Sequence, residues 1–162
     1  MYENELAIYA FNLQILRRFA GELNPEHLGR QINGQGQTPR WILGHLAIAT
    51  DYATQLLGGK GTCSPQWHEF FGPGSAIIAE GAPSPGTDEL LKAVVDGHER
   101  VIALAPRADA AALGAPPPLP IFEGTPIKTC AHLLTHLLTS HEAYHIGQFS
   151  AWQRQTGVPA LA

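Results

Sequence analysis

Eight histidines are spread along the 162 residues, and four of them form two pairs spaced i, i+4: His132 with His136, and His141 with His145. On a helix such a pair shares one face, with Cβ atoms about 6 Å apart, so both rings can aim a nitrogen at one ion. Burying two imidazoles side by side is costly unless something binds them both. Neutral imidazoles suit zinc, nickel, iron or copper, and three protein ligands leave a position open for water or a substrate, the mark of a catalytic site. His45 and His98 each fall in the middle of an apolar helical stripe, the usual place of a core histidine held by a hydrogen bond, while His27 and His68 lie in loops.

The stretch His141-Glu142-Ala143-Tyr144-His145 also spells His-Glu-x-x-His, the pattern of metal hydrolases in which the glutamate is the general base. Residues 146–162 contain no His, Asp, Glu or Cys, so a third ligand must come from upstream. An all-helical frame also offers no sheet edge on which to lay a peptide, and hydrolysis is the less favoured reading. A ferritin-like di-iron site needs two Glu-x-x-His motifs and two further inward glutamates, whereas Glu142-x-x-His145 occurs once. Glu142 stands about 100° from His141 around the helix and is expected to be a surface acid. Gln148, one heptad after His141, is expected to touch the rings or a substrate, with Tyr52 and His98 as further candidates. His132 and His136 lie about 140 to 180° around from His141 and His145, on a face expected to be solvated or to meet a partner.

Four helices must position these groups. Residues 2 to about 22 carry Leu6, Tyr9, Leu13, Leu16 and Ala20 on one stripe, widened by Ile8, Phe11, Ile15 and Phe19; Gly21 and Asn24-Pro25 stop the helix, and residues 33–37 read as a polar loop. Thr38-Pro39 caps a second helix that runs to Leu57, with Trp41, Ile42, Ile48, Ala49, Tyr52 and Leu56 as its stripe. Residues 58–86 read as a long loop with an aromatic knot around Trp67, Phe70 and Phe71, in a position that would also suit a lid. A third helix, capped by Thr87, runs to Ala105 with Leu91, Val94, Val95, Val101 and Ile102 on its core face. Residues 106–124, with Pro116-Pro117-Pro118 among them, form a second irregular connection. Thr125-Pro126 then opens a last helix reaching Thr156, about 45 Å long at 1.5 Å per residue, with Gly157 and Pro159 as its stop. The pattern predicts an all-α four-helix bundle, with long irregular connections between helices 2 and 3 and between helices 3 and 4, as a single domain over residues 1–162.

Composition narrows the function classes. A net charge of -4, with 10 scattered Lys and Arg, leaves no basic patch for nucleic acid, and 44% hydrophobic residues describe a packed globule. No apolar run is long enough to span a membrane, and Glu3, Glu5, Arg17 and Arg18 interrupt any signal-peptide core, so the chain is expected to be cytoplasmic. Cys63 and Cys130 have neither metal-ligand spacing nor a disulfide framework and are expected to be free thiols.

Two segments together, Trp41-Ile42-Leu43-Gly44-His45-Leu46-Ala47 and His141-Glu142-Ala143-Tyr144-His145-Ile146-Gly147-Gln148, resemble the DinB and YfiT-like superfamily of metalloenzymes. The element order matches along nearly the whole chain. The resemblance implies a four-helix bundle holding one divalent metal, zinc or nickel with iron also compatible, through His45, His141 and His145. It also implies a homodimer and chemistry with a low-molecular-weight thiol, since relatives include S-transferases and a thiol-dependent isomerase. Ile146 departs from the basic residue that the family often places before Gly-Gln. The expectation is a thiol-dependent S-transferase acting on a small molecule, the alternative a non-catalytic metal or ligand binder serving as sensor or scavenger, a reading that a fourth protein donor from His98 would favour.

Overall fold

The chain, described here from a computed structural model, is characterised over residues 2–32, 34, 36–78 and 83–158, so Asn33, Gln35 and Pro159 of the expected loop and helix stop lie outside the described residues. Helix α1 spans Glu3–Gly21, α2 Pro39–Leu56, α3 Pro65–Phe71, α4 Thr87–Leu104 and α5 Ala110–Leu113. The last long helix consists of α6 (Cys130–His136), a π-helical turn over Leu137–His141, and α7 (Glu142–Thr156). The described residues contain no strand, and the four long helices form the expected all-α bundle.

Helix α2 is its axis. Every residue from Trp41 to Asp51 is buried, as expected of a helix apolar on nearly all sides. Its start is the predicted one, with Pro39 in the first turn and Thr38 Oγ1 accepting the Trp41 amide hydrogen at 3.1 Å. The α1 stripe is narrower than expected. Tyr9, Asn12, Leu16, Phe19 and Ala20 face the core, whereas Phe11, about 200° around from Tyr9, is 60% exposed, and Ile8 is exposed too. Ile102 likewise leaves the α4 core face, which is made of Leu90, Val94, Gly97, His98 and Val101.

Three boundaries differ from the sequence pattern. Gly86, not Thr87, occupies the α4 cap position, and no side chain caps that end. The last helix opens at Cys130 instead of Pro126, because Thr129 Oγ1 accepts the His132 amide hydrogen at 3.2 Å, while Thr125 is used in a tight turn through Phe122 and Ile127. The 58–86 connection is partly helical. Ser64 and Pro65 open α3, whose Phe71 is fully buried with its ring against Gly44 of α2. The second connection contains α5 and the 3₁₀ turn Pro120–Phe122, a strap over the outside of the bundle.

Where α2 and α4 cross, a Cβ on Gly97 would overlap the Thr50 side chain. Alanine is better than glycine in a helix interior by about 1 kcal/mol, but overpacking a tight crossing costs about 1–3 kcal/mol. Gly97→Ala is expected to lower the stability measured by urea unfolding, and a stabilised variant would show the crossing to be looser than described.

Candidate metal centre

His45 comes from α2, His141 closes the π-helical turn, and His145 sits in the first turn of α7. One ring nitrogen from each lies within 4.8 Å of the other two, and His45 Nε2 is 3.1 Å from His141 Nε2. Nitrogens sharing a tetrahedral zinc at about 2.0–2.1 Å sit about 3.3–3.4 Å apart, so this spacing suits a ligand pair. The outer nitrogens fix which inner ones are available. His45 Nδ1 donates to the Phe71 carbonyl at 2.7 Å, which leaves Nε2 with a free lone pair. His145 Nδ1 donates to Gln148 Oε1 at 2.8 Å, and Gln148 is itself oriented by its amide, which donates to the Tyr144 hydroxyl at 3.2 Å. Buried His141 Nδ1 has no protein partner among the described residues. Metal-ligating imidazoles are ordinarily held in this way by carbonyl oxygens at their second nitrogen, so the residues fit a divalent ion.

Electrostatics point the same way. Burial, then the repulsion of neighbouring imidazoles, pushes His141 down to about 2; burial and His45 push His145 down to about 4. Burial also lowers His45, against the pull of the Phe71 carbonyl. All three rings are therefore neutral at neutral pH, the form that binds metal. Trp41 stacks on His45 with ring centroids 4.4 Å apart and walls the cluster from solvent on that side.

The cluster forms the floor of a pocket of about 310 Å³, lined further by Ile48, Tyr52 and Pro73 and by Leu119, Ile121 and Phe122 of the strap. His136 also lines it, its ring centroid 5.5 Å from that of His141. The solvated or interface position expected for His136 is thus corrected, whereas His132 is exposed as expected. At 100° per residue His136 and His141 would stand about 140° apart, but the i→i+5 pattern of the π turn brings residues five apart toward one face. Ser140 Oγ holds His136 Nδ1 at 2.8 Å.

Glu142 is corrected as well. It is 2% exposed, and its Oε1 lies 2.8 Å from Nε2 of His98, which is 0% exposed. The His98 Nδ1 hydrogen goes to the Val94 carbonyl at 2.9 Å, so the 2.8 Å contact with Glu142 needs one further proton shared between ring and carboxyl. Burial pushes the Glu142 carboxyl up and His98 pulls it back. Tyr9 stacks on His98 at 3.7 Å. His98 is therefore neither a fourth donor nor a pocket residue; it is the partner that keeps Glu142 inside the core. Gln148 touches His145 and does not line the pocket, while Tyr52 does. Neither the Phe71 carbonyl nor the His98–Glu142 pair is legible from residue spacing, because both partners come from other helices.

Two outcomes test this geometry. In metal-free protein the unfolded chain takes up protons on these histidines below about 6.5, whereas the folded chain resists until about 4 or lower for His145 and His141. The unfolded state then binds more protons, so the melting temperature is expected to fall as pH drops from about 6.5 to 5, less steeply in His141→Gln; identical slopes would contradict the buried neutral cluster. Breaking the His98–Glu142 pair with His98→Leu is expected to destabilise by on the order of 3 kcal/mol. The double variant with Glu142→Leu should lose less than the sum of the single changes, and strict additivity would rule the coupling out.

No curated protein matches the chain. A model of the DinB superfamily matches residues 9–149, a span that contains all three clustered histidines, the π turn and the residues that line the pocket. With that match on top of the helical bundle and the converging imidazoles, the chain belongs to the DinB superfamily.

Proposed function

We propose that the chain is a divalent-metal-dependent enzyme of the thiol S-transferase type acting on a small molecule, with His45, His141 and His145 as the ligands of a zinc or nickel ion, iron being compatible. The observation that carries this reading is the convergence of three neutral imidazoles at the floor of an open pocket. Three protein ligands leave room for one more, and a divalent ion there lowers the pKa of a thiol that reaches it. In the transfer the thiolate sulfur bonds to an electrophilic carbon, the leaving group departs with its electron pair, and the thiol proton goes to solvent. The protein does the rest with its own groups. The Phe71 carbonyl and Gln148 hold the rings in one tautomer, Trp41 and the apolar walls keep water from competing, and Tyr52 stands at the wall with a hydroxyl for the incoming molecule. No cysteine is among the described residues that line the pocket, so the nucleophile is brought in; burial and the nearby Asp51 carboxylate also push the Cys63 thiol up to about 12.

One observation favours the non-catalytic alternative of a sensor or scavenger. The glutamate of the His-Glu-x-x-His pattern is spent on His98, so it is not placed to serve as a base in the pocket. The same fact weighs against hydrolysis. Unpaired Cys63 and Cys130 support a reducing, cytoplasmic setting, and the exposed Ile8 and Phe11 on α1 support a homodimer. No helix among the described residues is long and apolar enough to cross a membrane.

Elemental analysis after expression with zinc or nickel is expected to find about one ion per chain in the wild type and a large loss in His141→Ala. Cobalt-substituted protein titrated with a thiol should develop sulfur-to-cobalt charge-transfer absorption. A metal-free wild type, or an unchanged metal content in His141→Ala, would end this reading; metal binding without thiol absorption or turnover would leave the sensor or scavenger.

A further inference from the structure

The walls above the three histidines differ sharply from their floor. Among the described residues that line the pocket none is an Asp, Glu, Lys or Arg. The polar groups are the imidazoles, the Tyr52 hydroxyl and the Trp41 indole, and the indole N–H is already donated to Ser75 Oγ at 2.8 Å. Ile121, on the strap side, is 64% exposed while lining this pocket. A large apolar side chain left in water beside a cavity gains most when a ligand covers it. The pocket's volume of about 310 Å³ lies at the small end of the ordinary ligand range of about 300–1,000 Å³.

A charge held between these walls would give up hydration and find no countercharge, only the neutral donors Tyr52 and His136, which is unfavourable in an otherwise apolar lining. The place best suited to a negatively charged atom is the floor, where the ion of the proposed reading would sit. We infer that the small molecule this site takes is uncharged and apolar everywhere except at the atom that reaches the three histidines, and that Leu119, Ile121 and Phe122 of the strap select it. This rests on the proposed metal site only for which end points inward; the selection itself belongs to the strap.

The test uses two matched pairs. Zinc-loaded protein is titrated calorimetrically with phenylmethanethiol and with its 4-carboxylate, and metal-free protein with benzyl alcohol and with 4-(hydroxymethyl)benzoate, followed by methyl shifts of Leu119 and Ile121. The neutral member of each pair is expected to bind at least tenfold more tightly. Ile121→Lys, at an exposed position where the fold should tolerate it, is expected to cut that preference at least fivefold with little change in melting temperature. Equal or tighter binding of the carboxylates to the wild type, or a preference untouched by Ile121→Lys, overturns the inference. Because the metal-free pair needs no ion, a chain that fails to bind zinc yet keeps the neutral preference refutes the proposed function and upholds the selection.

Discussion

The approach of His136 to His141 on the last helix depends on the wide turn at Leu137–His141. A regular α-helix would carry His136 away from His141, whereas the π turn lets both face the pocket while Leu137 and Leu138 stay buried. Directly after it the helix resumes its 3.6-residue period, so His141 and His145 share one face and Glu142, one step around, turns to the other. Such turns occur inside α-helices and frequently mark functional sites. Here the turn reconciles a pocket-facing row with a core-facing row on a single element.

The two rows solve the problem of buried polarity differently. On the pocket side, three imidazoles stay neutral and direct their outer hydrogens, where partners exist, to the Phe71 carbonyl and to Gln148. Like charges this close would repel, so burial and mutual repulsion both hold the rings unprotonated. On the core side, Glu142 and His98 share a proton beneath the Tyr9 ring and tie the last helix to α4. A lone buried carboxyl would be strongly unfavourable there, and an apolar pair of the same shape would pack as well. Its structural consequence is to hold the helix that carries two of the three clustered histidines in one rotational setting.

The connections complete what the helices begin. α3 presses Phe71 onto Gly44, and this contact places the carbonyl that orients His45. A larger residue at position 44 would collide with that ring, so the glycine is required by proximity even though its own backbone is helical. The strap at 119–122 builds the outer wall of the pocket from Leu119, Ile121 and Phe122. The long helices thus supply the converging nitrogens and the irregular segments supply the enclosure, a division that lets wall chemistry vary without disturbing the floor.

Much of the bundle is legible from residues alone, because periodic apolar stripes and the Thr38-Pro39 cap are local signals that nothing distant overrides. The i, i+4 spacing of His141 and His145 made a shared ion plausible for the same local reason, and the resemblance carried by residues 41–47 and 141–148 supplied His45. Burial of Glu142, the arrival of His136 at the pocket and the role of His98 were decided only by tertiary structure. An acid one residue from a ligand reads as exposed until a histidine on another helix is found to receive it, and a helix reads as uniform until its packing forces a wider turn. The breadth of the α1 stripe failed for the complementary reason: Ile8 and Phe11 are apolar, but the bundle has only enough neighbours to cover one side of that helix.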